Sequence, residues 1–135
     1  MRQTPERHRI IRKLKMHLEK VGIDIGDREF LQNDFAEPYF DVGESGFGYY
    51  IRERDKIIKN VENLSEEEIL YLLVKDFVES EALAYELKNR IDAQDFRRLY
   101  FAHAKYLMDK IDLKWGKILE KELDVALKDN PFRDI

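Results

Sequence analysis

Apolar residues recur along this chain at helical spacing in four stretches, and they alternate with polar residues in only one. Ile10, Ile11, Leu14, Leu18 and Val21 form a stripe that predicts a helix over residues 5–21, with Thr4 as N-cap, Pro5 at the first helical position and Gly22 closing it. A second helix is predicted over 65–91. Ser65 and Glu68 make a capping box, Glu66–Glu68 favour the positive helix start, and the stripe runs through Ile69, Leu72, Leu73, Phe77, Leu83, Ala84, Leu87 and Ile91. Asp95 caps a third helix over 95–110. Asp112 caps a fourth over 113–128, built on Trp115, Ile118, Leu119, Leu123, Ala126 and Leu127 and stopped by Asn130-Pro131.

The alternating stretch is residues 39–54. Phe40 and Val42 alternate with Tyr39 and Asp41, Gly43–Gly46 supply turn chemistry, and Phe47, Tyr49 and Ile51 alternate with Gly48, Tyr50 and Arg52. That pattern predicts a β-hairpin. A hairpin alone is marginal in water, so it needs helices beside it or a further strand, for which 55–61 with Ile57, Ile58 and Val61 is a candidate. Residues 23–38 hold no sustained period and read as a loop anchored by aromatics, with 23–25 as an optional short strand. The expected fold is one α+β domain over 1–135. It is mostly helical, with four amphipathic helices and a small antiparallel hairpin or sheet in the N-terminal half.

Three of the stripes carry a charge. Asp76 falls among Ile69, Leu73 and Phe77, Arg97 among Phe96, Tyr100 and Leu107, and Glu122 among Trp115, Leu119 and Ala126. A buried charge left unpaired costs several kcal/mol, so the pattern predicts an internal network in which Arg97 bridges Asp76 or Glu122, joined by Arg90 and His103. An enzyme reading would take Asp76, Glu122 and His103 as an acid–base or metal cluster. The spacing does not support that reading, since these helices hold no Glu-x-x-His, His-x-x-x-His or His-Glu-x-x-His. Gly43-Glu44-Ser45-Gly46-Phe47 lacks the final glycine of a nucleophile elbow, and no helix follows closely enough for a phosphate loop. No catalytic residue, metal site or cofactor is expected.

Composition narrows the class further. With 135 residues, 44% of them hydrophobic and 39% charged, the chain has more core-forming side chains than a disordered chain and more charge than most soluble domains, and is expected to fold alone around one core. It has no cysteine, which excludes disulfides, thiolate nucleophiles and the common structural zinc sites. Neither a membrane span nor a secretory signal is visible, so the expected compartment is the cytoplasm. The net charge of −4 is unevenly spread, because residues 1–20 hold seven basic side chains against two acidic ones, leaving +5 there and −9 elsewhere. A basic helix can be a nucleic-acid patch, but lysine and arginine also commonly fill the solvated face of an amphipathic helix. The solvated-face reading is the one expected here, with no nucleic-acid partner.

One ordered series goes beyond patterning. Pro38-Tyr39-Phe40-Asp41-Val42, Gly48-Tyr49-Tyr50-Ile51-Arg52-Glu53-Arg54, Ile69-Leu70-Tyr71, Ala84-Tyr85-Glu86, Arg90, Gln94-Asp95-Phe96-Arg97-Arg98, Phe101, Trp115, Glu122 and Asn130-Pro131-Phe132-Arg133-Asp134 follow one another in the chain. The set resembles the immunity protein 63 family of bacterial polymorphic toxin systems, over about residues 38–134. Two positions depart from the family pattern. Asp55 stands where Glu-Arg is usually followed by glycine, and His103-Ala104 stands where a glutamine is common.

The resemblance implies a binding function without catalysis, in which the chain holds and neutralises a cognate toxin domain. Shared motif residues then read as scaffold, since contact surfaces should vary with the toxin. Glu53, Arg54, Asp76, Glu86, Arg90, Asp95, Arg97, Arg98 and Glu122 are accordingly expected in internal pairing, and the hairpin aromatics Tyr49 and Tyr50 and the acidic Glu79 and Glu81 are the candidate contacts. A small helical enzyme using inward carboxylates and a basic-helix nucleic-acid module stay open as alternatives, as does a homodimer.

Overall fold

The computed structural model describes residues 4–135 and is an α+β structure, 54% helix and 17% strand, so helices dominate as the periodicity required. Arg2, counted in the basic N-terminal segment, lies outside the described residues. Four helices, α1 (Pro5–Glu19), α2 (Glu66–Lys88), α3 (Phe96–Ile111) and α4 (Leu113–Asp129), accompany strands β1 (Tyr39–Gly43), β2 (Gly46–Glu53) and β3 (Lys56–Leu64). The chain divides into two compact units, one up to Asp76 and one of Phe77–Ile135.

In the N-terminal unit, α1 starts where its cap requires. The Thr4 hydroxyl accepts from the Arg7 amide at 3.1 Å, and Ile10, Leu14 and Leu18 at successive i,i+4 positions are fully buried. The helix ends at Glu19, two residues short of the expected Val21, because Lys20–Gly22 tighten into turns that lead to Gly22 at φ 73°. Residues 23–25 form no strand. The loop is pinned instead by buried Ile25 and Phe30 and by an isolated bridge from Phe35 to Glu53.

The three strands form one antiparallel sheet in the order β1-β2-β3. Tyr39 faces Tyr50, Phe40 faces Tyr49 and Val42 faces Phe47, so Phe40, Phe47 and Tyr49 share the buried face. The β1–β2 turn needs Gly46, whose φ is 145° and whose missing Cβ would stand 2.7 Å from the Leu64 carbonyl oxygen. The β2–β3 turn is made by Arg54 and Asp55 at φ 51° and 65°. Both angles lie in the left-handed region that a two-residue hairpin turn demands, a region that glycine adopts more readily than the Asp55 of this chain. The predicted capping box then starts α2, with Glu68 N donating to the Ser65 hydroxyl at 3.1 Å and Ser65 N to Glu68 Oε1 at 2.9 Å.

The C-terminal unit holds the second half of α2 with α3 and α4. Asp95 caps α3 by accepting from Arg97 N at 2.9 Å, and Asp112 caps α4 by accepting from Lys114 N at 2.8 Å and Trp115 N at 3.1 Å. Asp112 is the whole connection between α3 and α4, which pack through Leu107, Met108, Ile111, Trp115 and Leu119. Gly116 leaves no room for a side chain against α3, since an added Cβ would lie 1.8 Å from Asp109 Oδ1 and 3.2 Å from Asp109 Cα.

Candidate protein-binding surface

The apolar stripe of α2 divides between two faces. In the C-terminal unit the buried row is Val78, Ala82 and Glu86, whereas Leu83 and Leu87, predicted to point inward, are 39% and 66% exposed, and Ile91 just past the helix end is 51% exposed. At about 100° per residue the row through Leu83 and Leu87 turns away from the row through Ala82. The sequence pattern merged the two because leucine suits either. Small Ala82 and Val78 take the packed side, while the larger aliphatics remain in solvent.

Aromatic rings add to the exposed surface of this unit. Tyr85 of α2 stacks on His103 of α3 with centroids 3.8 Å apart and planes within 3°, and His103 in turn stacks on Tyr106 at 5.6 Å. Tyr85 and Tyr106 are 38% and 51% exposed. Burial holds the His103 imidazole below its ordinary pKa, partly offset by the charge of exposed Glu81. On α3, Tyr100 stacks on Phe96, and its phenol is pushed up to about 12 by burial and by the charge of half-buried Glu79. The two glutamates named as contacts thus act electrostatically on Tyr100 and His103. The signal in the sequence was the spacing of Phe96, Tyr100 and His103, which falls on one face of α3.

The family-motif charges are engaged elsewhere. Arg97 does not bridge Asp76 or Glu122. Its guanidinium holds Asp95, with Nη2 to Oδ2 at 2.8 Å, and donates to the carbonyls of Asn130 and Pro131 at 2.7 and 2.8 Å. Asp95 also accepts from Arg133 N, and Asp134 accepts from Asp95 N and from Arg98 Nε at 3.0 Å. The Phe132 ring lies under both Arg97 and Arg98, at 5.6 and 4.3 Å from their guanidinium carbons. These contacts clasp residues 130–134 onto the start of α3, and the cationic donors hold the Asp95 carboxyl well below the usual range. The helical phase of Arg97 did not decide its partner because a cap residue two positions away was nearer.

The remaining motif residues divide by depth. Glu86 is 2% exposed and is held by Arg90 through bonds of 2.7 and 3.0 Å, which lower its pKa against the effect of burial. Asp76, half-buried, accepts from the Tyr49 hydroxyl at 2.5 Å. Tyr49 itself is 2% exposed and cannot present a contact surface, while Tyr50 is half-buried and stacked on Tyr39. Glu53, Arg54 and Glu122 are exposed.

Arg7 is the residue the pattern misplaced most. It was counted with the solvated charges of α1, yet it is 5% exposed and donates to the carbonyls of Phe40, Glu29 and Phe30 at 2.5, 2.5 and 3.0 Å while lying 4.2 Å over the Phe40 ring. Its place three residues before Ile10 and seven before Leu14, on the same stripe, was the available sign. Arg9 and Lys13 both hold Glu66, Arg9 at 2.9 Å, and lower the pKa of that carboxyl. Part of the basic helix therefore neutralises the protein's own acids.

Together these features define a small α+β protein whose exposed helical face is apolar and aromatic. Among the described residues no three His, Asp or Glu side chains converge to hold a metal. The family model for Immunity protein 63 matches residues 43–125, well over half the chain, and this protein belongs to that family. Neither the curated proteins nor the solved structures give a match.

Proposed function

We propose that this protein is the immunity partner of a toxin domain encoded beside it, which it binds and neutralises in the cytoplasm of the cell that makes both. The observation that carries the reading is the exposed row of Leu83, Leu87 and Ile91, a solvated aliphatic face next to half-exposed rings. Such patches on a charged, water-soluble surface mark protein contacts. The family to which the chain belongs supports a role in immunity. The neutralisation is stoichiometric and not catalytic, with Glu81 and the net negative charge steering a basic partner. A protein target is favoured over nucleic acid because Arg7, Arg9 and Lys13 of the basic helix are engaged by protein groups.

The test is co-expression of the neighbouring toxin gene with and without this chain, followed by growth measurement and co-purification. Rescue together with a stable complex supports the reading. A toxin that kills equally in both cases, with no complex recovered, refutes it. Sedimentation of the purified chain alone separates toxin binding from self-association through the same face.

A further inference from the structure

The outer face of α4 carries a contact line of its own, separate from the row that packs on α3. At about 100° per residue Lys114, Lys117, Ile118, Lys121, Val125 and Lys128 fall within one arc of about 100°, on the side away from the buried Trp115, Gly116 and Leu119. All six are exposed, Ile118 by 45% and Val125 by 59%. Lys114, Ile118, Lys121, Val125 and Lys128 follow one another at steps of four, three, four and three residues, the spacing at which one helix packs along another. Lysine and β-branched aliphatic thus take turns on this line. It runs for about 21 Å along the helix.

The charge on this face is not spent within the chain. Glu120, Glu122, Asp124 and Asp129, the acidic residues of α4, fall outside the arc on its two flanks. Glu120 lies three residues after Lys117, and Asp124 lies three after Lys121 and four before Lys128, spacings at which helical ion pairs form. Among the described residues these three lysines nevertheless make no side-chain ion pair, and Glu120 faces Lys105 of α3 at 3.8 Å instead. Lys117 and Lys121 stand one turn apart as like charges, which disfavours the helix by itself. The basic helix α1 is the contrast, since its Arg9 and Lys13 are used on Glu66. A face that serves solubility alone intersperses both signs and needs no aliphatic side chains along its centre.

We propose that the outer face of α4 receives an acidic amphipathic helix of a protein partner, laid along the line from Lys114 to Lys128 with its apolar residues on Ile118 and Val125 and its carboxylates among the lysines. Opposite charge selects the partner, and the lysine stems add apolar contact beside the two aliphatics. A second copy does not fit through the same face, because two-fold pairing would set lysine against lysine. An anionic membrane fits less well, since the arc presents neither an aromatic ring nor a leucine to enter the lipid. The toxin reading concerns a different row, on α2, and a basic partner, so neither proposal rests on the other.

The experiment is a titration of the ¹⁵N-labelled full chain with a blocked peptide of three repeats of Leu-Ala-Ala-Ile-Glu-Gln-Glu, with the same peptide carrying lysine for every glutamate, and with vesicles of mixed phosphatidylcholine and phosphatidylserine. Expected are saturable shifts at Lys117, Ile118, Lys121, Val125 and Lys128 with the acidic peptide, and none with the basic peptide or the vesicles. The Lys117→Gln/Lys121→Gln/Lys128→Gln variant changes only exposed side chains, and its spectrum shows directly that the fold persists. It should bind the acidic peptide about tenfold more weakly, the combined loss of three exposed charge contacts. Ile118→Ser/Val125→Ser, with every lysine kept, should weaken the same binding by at least about threefold, which a contact made by charge alone would not show. Equal binding of the two peptides, shifts confined to other parts of the protein, acidic-peptide binding unchanged in either variant, or shifts at these residues with vesicles would each overturn the proposal. No toxin enters this measurement, so failure here leaves the toxin reading standing, and a failed rescue experiment leaves this surface standing.

Discussion

Replacing Arg7 by methionine tests whether a charge counted with a solvated face is instead a structural tie. Methionine keeps most of the length and the packing over Phe40 but removes every donor. Three carbonyl acceptors, two of them buried, then lose a charged partner. At about 1 kcal/mol net for each bond the loss is about 3 kcal/mol, and stranded buried acceptors push it upward rather than down. The lost cation–π contact adds up to about 1 kcal/mol. Against a total stability of about 5–15 kcal/mol this is a large fraction. In urea, with a slope of about 1.5–2 kcal/mol per molar for a chain of this size, the midpoint should fall by about 1.5–2 M. Arg12→Met on the same helix, where the side chain is exposed, is the control and should stay within about 0.5 kcal/mol of the parent. If Arg7→Met matches that control, water satisfies the carbonyls and Arg7 ties nothing.

Other outcomes follow from the same geometry. Asp55→Gly should stabilise by about 0.5–1 kcal/mol in denaturant melts, because glycine adopts the positive φ of that turn without the penalty an L-residue carries. Gly116→Ala gains about 1 kcal/mol of helix propensity but forces Asp109 away at a cost of about 1–3 kcal/mol, so it should destabilise by about 1 kcal/mol, and adding Asp109→Ala should recover most of the loss. Leu87→Glu should abolish toxin rescue while stability in denaturant changes by less than about 0.5 kcal/mol, since that side chain is largely exposed. For His103 the folded-state pKa lies below the unfolded value of 6.5, so the unfolded chain binds more protons between the two. Its contribution to stability is therefore full above 6.5 and falls as pH drops towards the folded-state value. Urea midpoints at about pH 7.5 and about pH 5.5 should differ less in His103→Gln than in the parent.

Local physics wrote several elements directly into the chain. Thr4-Pro5, the Ser65/Glu68 box, Asp95 and Asp112 start the four helices because a cap and its amide lie within three residues of each other. The alternation from Tyr39 onward determined a hairpin, and Ile57, Ile58 and Val61 marked a candidate third strand through their β-branched side chains. Partners distant in the chain were not legible in this way. Whether Arg97 met Asp76, Glu122 or Asp95 depended on where residues 130–134 lay, and whether Leu87 was core or surface depended on which side of α2 another helix covered. Periodicity states that a residue belongs to a face, but only tertiary packing decides which faces are closed. Arg7 shows both halves of the lesson. Its phase put it on the apolar stripe of α1, and only the fold supplied the three carbonyls that allow a guanidinium to stay there.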